Sequence, residues 1–152
     1  MRSYPVAKDG KAFMSGLPES KRGWDQEPGE GQPILLVEGD DAMREVFADT
    51  LTALGYRICA VADGYEAAAL AQGANGKRFD LVICDMVMPG LNALELYEAL
   101  QLGRYEGKML IITGYPMPHT GASLVARPGV QWARRPIGLD ELQALIDQML
   151  QG

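Results

Sequence analysis

From residue 33 onward the chain alternates short, continuously apolar runs with stretches in which apolar residues return every three or four positions. Ile34-Leu35-Leu36-Val37 is apolar at every position. Met43, Val46, Phe47, Thr50, Leu51 and Leu54 then recur at helical spacing up to Gly55, a residue suited to stop a helix. The same reading predicts strands over 57–61, 81–84, 109–112 and 130–133, and helices over 64–72, 91–102 and 139–150, the second helix capped by Asp63. Leu142, Leu145, Ile146 and Met149 form one stripe of the last helix. Strands that are apolar on both faces and separated by helices imply a parallel sheet covered on both sides. The expected fold is therefore α/β: a five-stranded, doubly wound parallel sheet in three layers, of the flavodoxin-like kind. Between residues 114 and 129, Pro116, Pro118, Gly121 and Pro128 leave room for a helix only around 122–127, so a shortened fourth helix is expected.

Residues 1–33 have a different character. They hold five Gly and four Pro, their five acidic and five basic residues cancel, and their apolar residues follow neither period. A flexible N-terminal tail or linker over 1–32 is expected, with one folded domain over 33–152. A chain of 152 residues, 47% of them apolar, can bury a single core. The net charge of −6 falls on residues 34–152, where fifteen Asp and Glu face nine Lys and Arg. The longest runs of like charge are pairs such as Asp40-Asp41 and Arg134-Arg135, so no basic face for nucleic acid or anionic lipid is indicated. Cys59 and Cys84 each lie inside an apolar run and read as reduced core residues rather than as a disulfide or metal site. No run approaches the roughly 18 to 20 apolar residues of a membrane span, and no signal-peptide apolar region follows Met1 to Pro5. A cytoplasmic protein without a membrane or nucleic-acid partner is expected.

Ligand sites in doubly wound folds lie at the carboxyl ends of the strands, beside the point where strand order reverses. Those positions carry Glu38-Gly39-Asp40-Asp41, Asp85, Thr113 and Arg134-Arg135-Pro136. Carboxylates held side by side are costly unless a cation lies between them, and hard cations such as Mg²⁺ prefer oxygen ligands. The set suits metal-assisted phosphoryl chemistry, with Asp85 as nucleophile and Thr113 and a basic residue on the phosphoryl oxygens.

The runs ILLVEGDDAMRE, FDLVICDMVMPG, LIITGYP and ARRPIGLDEL resemble the receiver (response-regulator) family of two-component signalling. They are similar to its acidic pocket, its phospho-acceptor Asp followed by Met-Pro-Gly, its switch Thr, and its Lys-Pro before the last helix. The resemblance spans about residues 33 to 151. It implies Asp85 as phospho-acceptor, Thr113 as the conserved hydroxyl, and Trp132 with Thr113 as the switch pair. It also implies Mg²⁺ as cofactor, held by Glu38, Asp85 and the backbone carbonyl of Val87, with Asp40 as a further candidate. Two departures stand out: Gly39 occupies the place of a second metal-binding acid, and Arg135 that of the family's Lys. Weak Mg²⁺ binding follows from the first. The second retains the positive charge but replaces a compact ammonium by a planar fork. The implied partners are a histidine kinase or phosphotransfer protein, a downstream protein or the chain's own larger polypeptide, such as a hybrid kinase, and a second copy in a homodimer.

Plainer roles compete at several of these positions. An Asp before a helix is commonly its cap, and Asp41 is assigned to capping, leaving Asp40 divided between solvent and metal. Trp132 fits a core aromatic as well as a switch, and Thr113 fits an ordinary β-branched strand residue. His119 has no companion His or spaced Cys and is not read as a ligand. An aspartyl-phosphate hydrolase needs a second Asp two residues after its nucleophile, where this chain has Val87, so a non-enzymatic module is expected. It either accepts phosphate on Asp85 or, as a pseudo-receiver, only binds a partner.

Overall fold

The computed structural model describes residues 6–7, 31–72, 79–114 and 123–151. All strands run parallel: β1 (Val6–Ala7), β2 (Pro33–Val37), β3 (Arg57–Val61), β4 (Leu81–Cys84), β5 (Lys108–Thr113) and β6 (Val130–Arg134), in the spatial order β1-β3-β2-β4-β5-β6. The helices are α1 (Asp41–Ala53), α2 (Gly64–Leu70), α3 (Ala93–Leu102) and α4 (Leu139–Gln151). The five expected strands all form, and Val6–Ala7 adds a sixth at the sheet edge, where Val6 pairs with Ala60 and Ala7 with Val61. Two residues are too few to reveal a period in the sequence. The pairing covers an edge that β3 would otherwise leave open.

Strand alternation divides the core in two. Leu35, Val37, Cys59, Val61, Val82, Cys84 and Ile111 face α2 and α3 with Ala67, Leu96 and Leu100. Ile34, Leu36, Ile58, Ala60, Ile83, Leu110 and Ile112 face α1 and α4 with Leu51, Leu142 and Ile146. Because both faces are buried, the strands carry no polar alternation, which is why they read as continuous apolar runs. Residues 123–125 are helical and Leu124 is fully buried on the α2 and α3 side. The rest of the expected shortened helix region, over 115–122, lies outside the described residues, as do His119 and Trp24.

Two expectations about side-chain placement are corrected. The face of α1 that turns inward is Arg44, Ala48 and Leu51, while Met43 and Val46 are exposed. Trp132 is not a core residue: it is 39% exposed on β6, the strand at the sheet's far edge.

Cys59 and Cys84 are buried and free. Burial pushes both thiols up to about 12, with a smaller push from the Glu66 charge on Cys59 and the Asp85 charge on Cys84. The thiolate is the reactive form. Neither cysteine should therefore react with a chromogenic disulfide reagent at pH 8 until the protein is unfolded in urea. Prompt labelling of the folded protein would contradict their place in the core.

We propose that residues 1–32 form a tail separable from the domain. Among the described residues, deleting them removes the two β1 pairs and two hydrogen bonds from Arg57, its N–H to the Gln32 carbonyl and its Nε to the Gly31 carbonyl, together worth ~2 kcal/mol net, so the melting temperature should fall by no more than roughly 8 °C. A loss beyond roughly 10 °C would show that the tail packs on the domain.

Candidate functional site

Strand order reverses at β2, whose neighbours are β3 and β4. The carboxyl ends of β2 and β4 therefore meet at the switch point, and Glu38 and Asp85 are the residues that follow them. Thr113 ends β5 and is buried at 1% exposure. Its carbonyl accepts from the Arg135 backbone N–H at 2.8 Å, which fixes the start of the segment after β6 against the end of β5. The Arg135-Pro136 peptide bond that follows is cis.

From there the Arg135 side chain reaches over the strand ends. Its Nη2 donates to Glu38 Oε1 at 3.3 Å, its Nε lies 3.7 Å from Asp85 Oδ2, and the same Nε donates to the Ile112 carbonyl at 3.4 Å. One guanidinium thus bridges both acids of the switch point. All three side chains are partly buried, at 28% exposure for Arg135, 14% for Glu38 and 25% for Asp85.

The β2–α1 connection is held by its own polar groups. The Asp40 N–H donates to Glu38 Oε2 at 3.2 Å, and Asp40 Oδ1 accepts from the Met43 N–H at 2.8 Å. Asp40, in extended backbone, is therefore the cap of α1. The capping role expected of Asp41 does not hold: Asp41 lies within the first turn and pairs with Arg44. Arg44, buried to 5% exposure, donates through Nη1 to the Glu38 carbonyl at 2.8 Å. Sequence reasoning missed Arg44. The signal was its i, i+4, i+7 spacing with Ala48 and Leu51, obscured because a charged residue was not counted on an inward stripe.

The β4–α3 connection closes the other side. The Val87 N–H donates to Asp85 Oδ1 at 3.3 Å. The Pro89 carbonyl accepts from the Gly64 N–H at 3.0 Å. Gly90 takes φ +78 beneath the Tyr65 ring, where a Cβ would lie 2.8 Å from Tyr65 Cδ2. The Pro89 ring lies against Gly39, so a Cβ at 39 would sit 2.8 Å from both Pro89 Cγ and Cδ. Glu38, Gly39, Asp40, Asp85, Val87 and Pro89 line a cavity of about 260 Å³ at the mouth of the site.

The structure thus brings together Glu38, Asp85 and Arg135, with Thr113 on the adjacent strand. The Asp40 carboxylate is engaged as a helix cap. Trp132 lies two rungs from the site on β6, paired with Ile111 rather than with Thr113. Among the described residues, no group of three or more His, Cys, Asp or Glu stands close enough to hold a metal ion, and no helix is long and apolar enough to cross a membrane.

Residues 34–147 match the response regulator receiver domain family. The chain is 28% identical over 118 residues to the sensor kinase CckA of Brucella abortus (strain 2308), a match covering 78% of this chain and 12% of that protein. The solved receiver domain of the hybrid histidine kinase CckA superposes with a TM-score of 0.62 at 30% identity, over 78% of this chain and 98% of that one. The chemotaxis protein CheY4 of Vibrio cholerae superposes with a TM-score of 0.68 at 25% identity, again over 78% and 98%. The chain thus spans only a small part of the CckA protein, and nearly the whole of isolated receiver domains.

Proposed function

The chain belongs to the response regulator receiver domain family, and on that premise we propose that Asp85 accepts a phosphoryl group from a phosphohistidine of a histidine kinase or phosphotransfer protein. Receiver domains are signalling modules of two-component systems rather than classical enzymes. The observation that carries the reading is the position of Asp85: a partly exposed carboxylate at the switch point, on the wall of a cavity, with Thr113 at the end of the adjacent β5 and the Arg135 side chain reaching it from beyond β6. In the transfer, an Asp85 carboxylate oxygen attacks phosphorus. The P–N bond to the donor imidazole breaks as the P–O bond forms, and the imidazole leaves with that electron pair and takes up a proton. In this reading Arg135 and the Thr113 hydroxyl hold the phosphoryl oxygens. The added charge then acts on Thr113 and, through the paired β5 and β6, on the exposed Trp132. A cytoplasmic site of action, a downstream protein or the remainder of a larger chain as recipient of the signal, and a homodimer as a possible output state complete the reading.

Receiver domains generally bind Mg²⁺ at the phosphorylation site. The residues here fit a divalent ion poorly. Gly39 offers no carboxylate, Asp40 Oδ1 is engaged by the Met43 N–H, and Glu38 and Asp85 already share Arg135. Mg²⁺ is accordingly bound weakly, by Glu38, Asp85 and the Val87 carbonyl, and no step above is routed through it.

A second reading, a pseudo-receiver that binds a partner without accepting phosphate, is favoured by the same Arg135 contacts, since a guanidinium on both acids obstructs the acceptor. Arg135→Lys separates the two. A smaller head cannot span both carboxylates, so the variant should be phosphorylated by acetyl phosphate at least as fast as the parent if Asp85 is an acceptor. The switch is read by the emission of Trp132 after Trp24→Phe. It should change with acetyl phosphate and stay unchanged in Asp85→Ala. No emission change in either the parent or Arg135→Lys would favour the pseudo-receiver.

A further inference from the structure

Glu38 and Asp85 follow the adjacent interior strands β2 and β4 at their carboxyl ends, each partly withdrawn from water. Two carboxylates so placed repel unless positive charge lies between them. In this chain that position is filled from within. Nη2 and Nε of one guanidinium address one acid each, and the Ile112 carbonyl anchors Nε from below. The groups that would otherwise favour an external ion are missing or engaged. Gly39 has no side chain, the Pro89 ring lies across the direction in which one would project, and Asp40 caps α1. A guanidinium is permanently charged and its fork can span two carboxylates, whereas an ammonium is a point charge.

We propose that Arg135 is the resident cation of this site, holding the position between Glu38 and Asp85 that a divalent ion would take, so that half of the acid pair's charge is compensated without metal and Mg²⁺ binds only by displacing the guanidinium. The proposal rests on the reading of Glu38 and Asp85 as the receiver's acid pocket, and it gives the weak metal binding a cause. The affinity lost is the affinity of the acids for Arg135. Removing the competitor should recover it, by about tenfold or more, as expected for the loss of one close charge pair near a protein surface.

The test is a titration of the full chain with MgCl₂ alone at fixed ionic strength, read by calorimetry. Arg135→Met keeps an unbranched apolar stem beside Phe47, Ile137 and Leu142, which line a cleft of about 670 Å³ together with Arg135, and deletes only the charge. It should bind Mg²⁺ at least about tenfold more tightly than the parent. Arg134→Met makes the same change of net charge at the exposed neighbouring residue and should gain less than about twofold, because its effect is limited to screened long-range attraction. Adding Asp85→Asn to Arg135→Met should abolish the gain, which locates it at the acid pair. In the parent, the Arg135 Nε–H resonance should shift as Mg²⁺ saturates, a readout independent of any variant's folding. Equal Mg²⁺ affinity in the parent and Arg135→Met, or an Nε–H resonance unmoved by saturating Mg²⁺, would overturn the proposal. No phosphoryl donor is present, so failure here leaves the phospho-acceptor reading standing, and failure of phosphorylation leaves this competition measurable.

Discussion

Gly39→Ala is expected to lower the melting temperature by roughly 4 to 12 °C, the equivalent of about 1 to 3 kcal/mol for a domain of this size. On general grounds the substitution should help. Gly39 is not among the residues with positive φ, and alanine at a compatible position stabilises by restricting the unfolded chain. The opposite sign comes from Pro89. An added Cβ would sit 2.8 Å from two atoms of its ring, and a proline ring cannot swing aside as a long side chain would. Either the segment from Met86 to Gly90 backs away, carrying the loop that follows Asp85 with it, or the β2–α1 turn shifts. The contact can be isolated with Pro89→Ala. In that background Gly39→Ala should cost at least about 1 kcal/mol less than in the parent. Equal costs in the two backgrounds, or a parent stabilised by Gly39→Ala, would show that Pro89 does not define this wall. The family pattern combines an acid at this position with the same Met-Pro-Gly run, so Pro89 here occupies room that a side chain would otherwise need. An acid at 39 consequently does not simply restore a metal ligand. Its carboxylate arrives only after the loop has moved.

The parts of this molecule legible in its sequence are those governed by one short-range rule. Interior parallel strands are buried on both faces, so Ile34 to Val37 and Leu81 to Cys84 stand out as unbroken apolar runs. The acids after them fall at the switch point because topology puts strand ends there. What was not legible depends on finer or longer-range facts. Asp40 and Asp41 are equally good caps by type, and only the extended backbone of Asp40 decides between them. The α3 helix begins at Ala93 rather than at Leu91, set by a capping box of Asn92 with Glu95. That signal was present in the sequence but is overshadowed by the apolar Leu91. Arg44 was passed over on α1 because its burial is permitted by polar partners, the Glu38 carbonyl and Asp41. β1 pairs through two residues only. The link from Arg135 to Glu38 joins groups 97 positions apart. Sequence identified both as neighbours of one site, but no local pattern could say that a single guanidinium bridges Glu38 and Asp85.

The bridge also ties metal binding and phosphate acceptance to one side chain, Arg135. While Arg135 holds both acids, the Asp85 carboxylate is oriented and its charge partly offset, but it is not free. The phosphoryl transfer proposed for Asp85 would require the guanidinium to exchange a carboxylate oxygen for a phosphoryl oxygen, an exchange its fork can make without losing its charge partner. An arginine in this position therefore slows entry and then steadies the product, whereas a lysine would do less of both.

Phosphorylation of Asp85 can be observed by intact-mass measurement of the full chain after incubation with acetyl phosphate and, separately, with an active histidine kinase. A single labile adduct of about 80 Da is expected on the parent. It should be removed by hydroxylamine, as an acyl phosphate is, and be absent from Asp85→Ala, while Thr113→Ala retains it because the hydroxyl holds the phosphoryl group without bonding to it covalently. An unmodified parent mass with both donors, or an adduct that persists in Asp85→Ala, would contradict phosphate acceptance by Asp85.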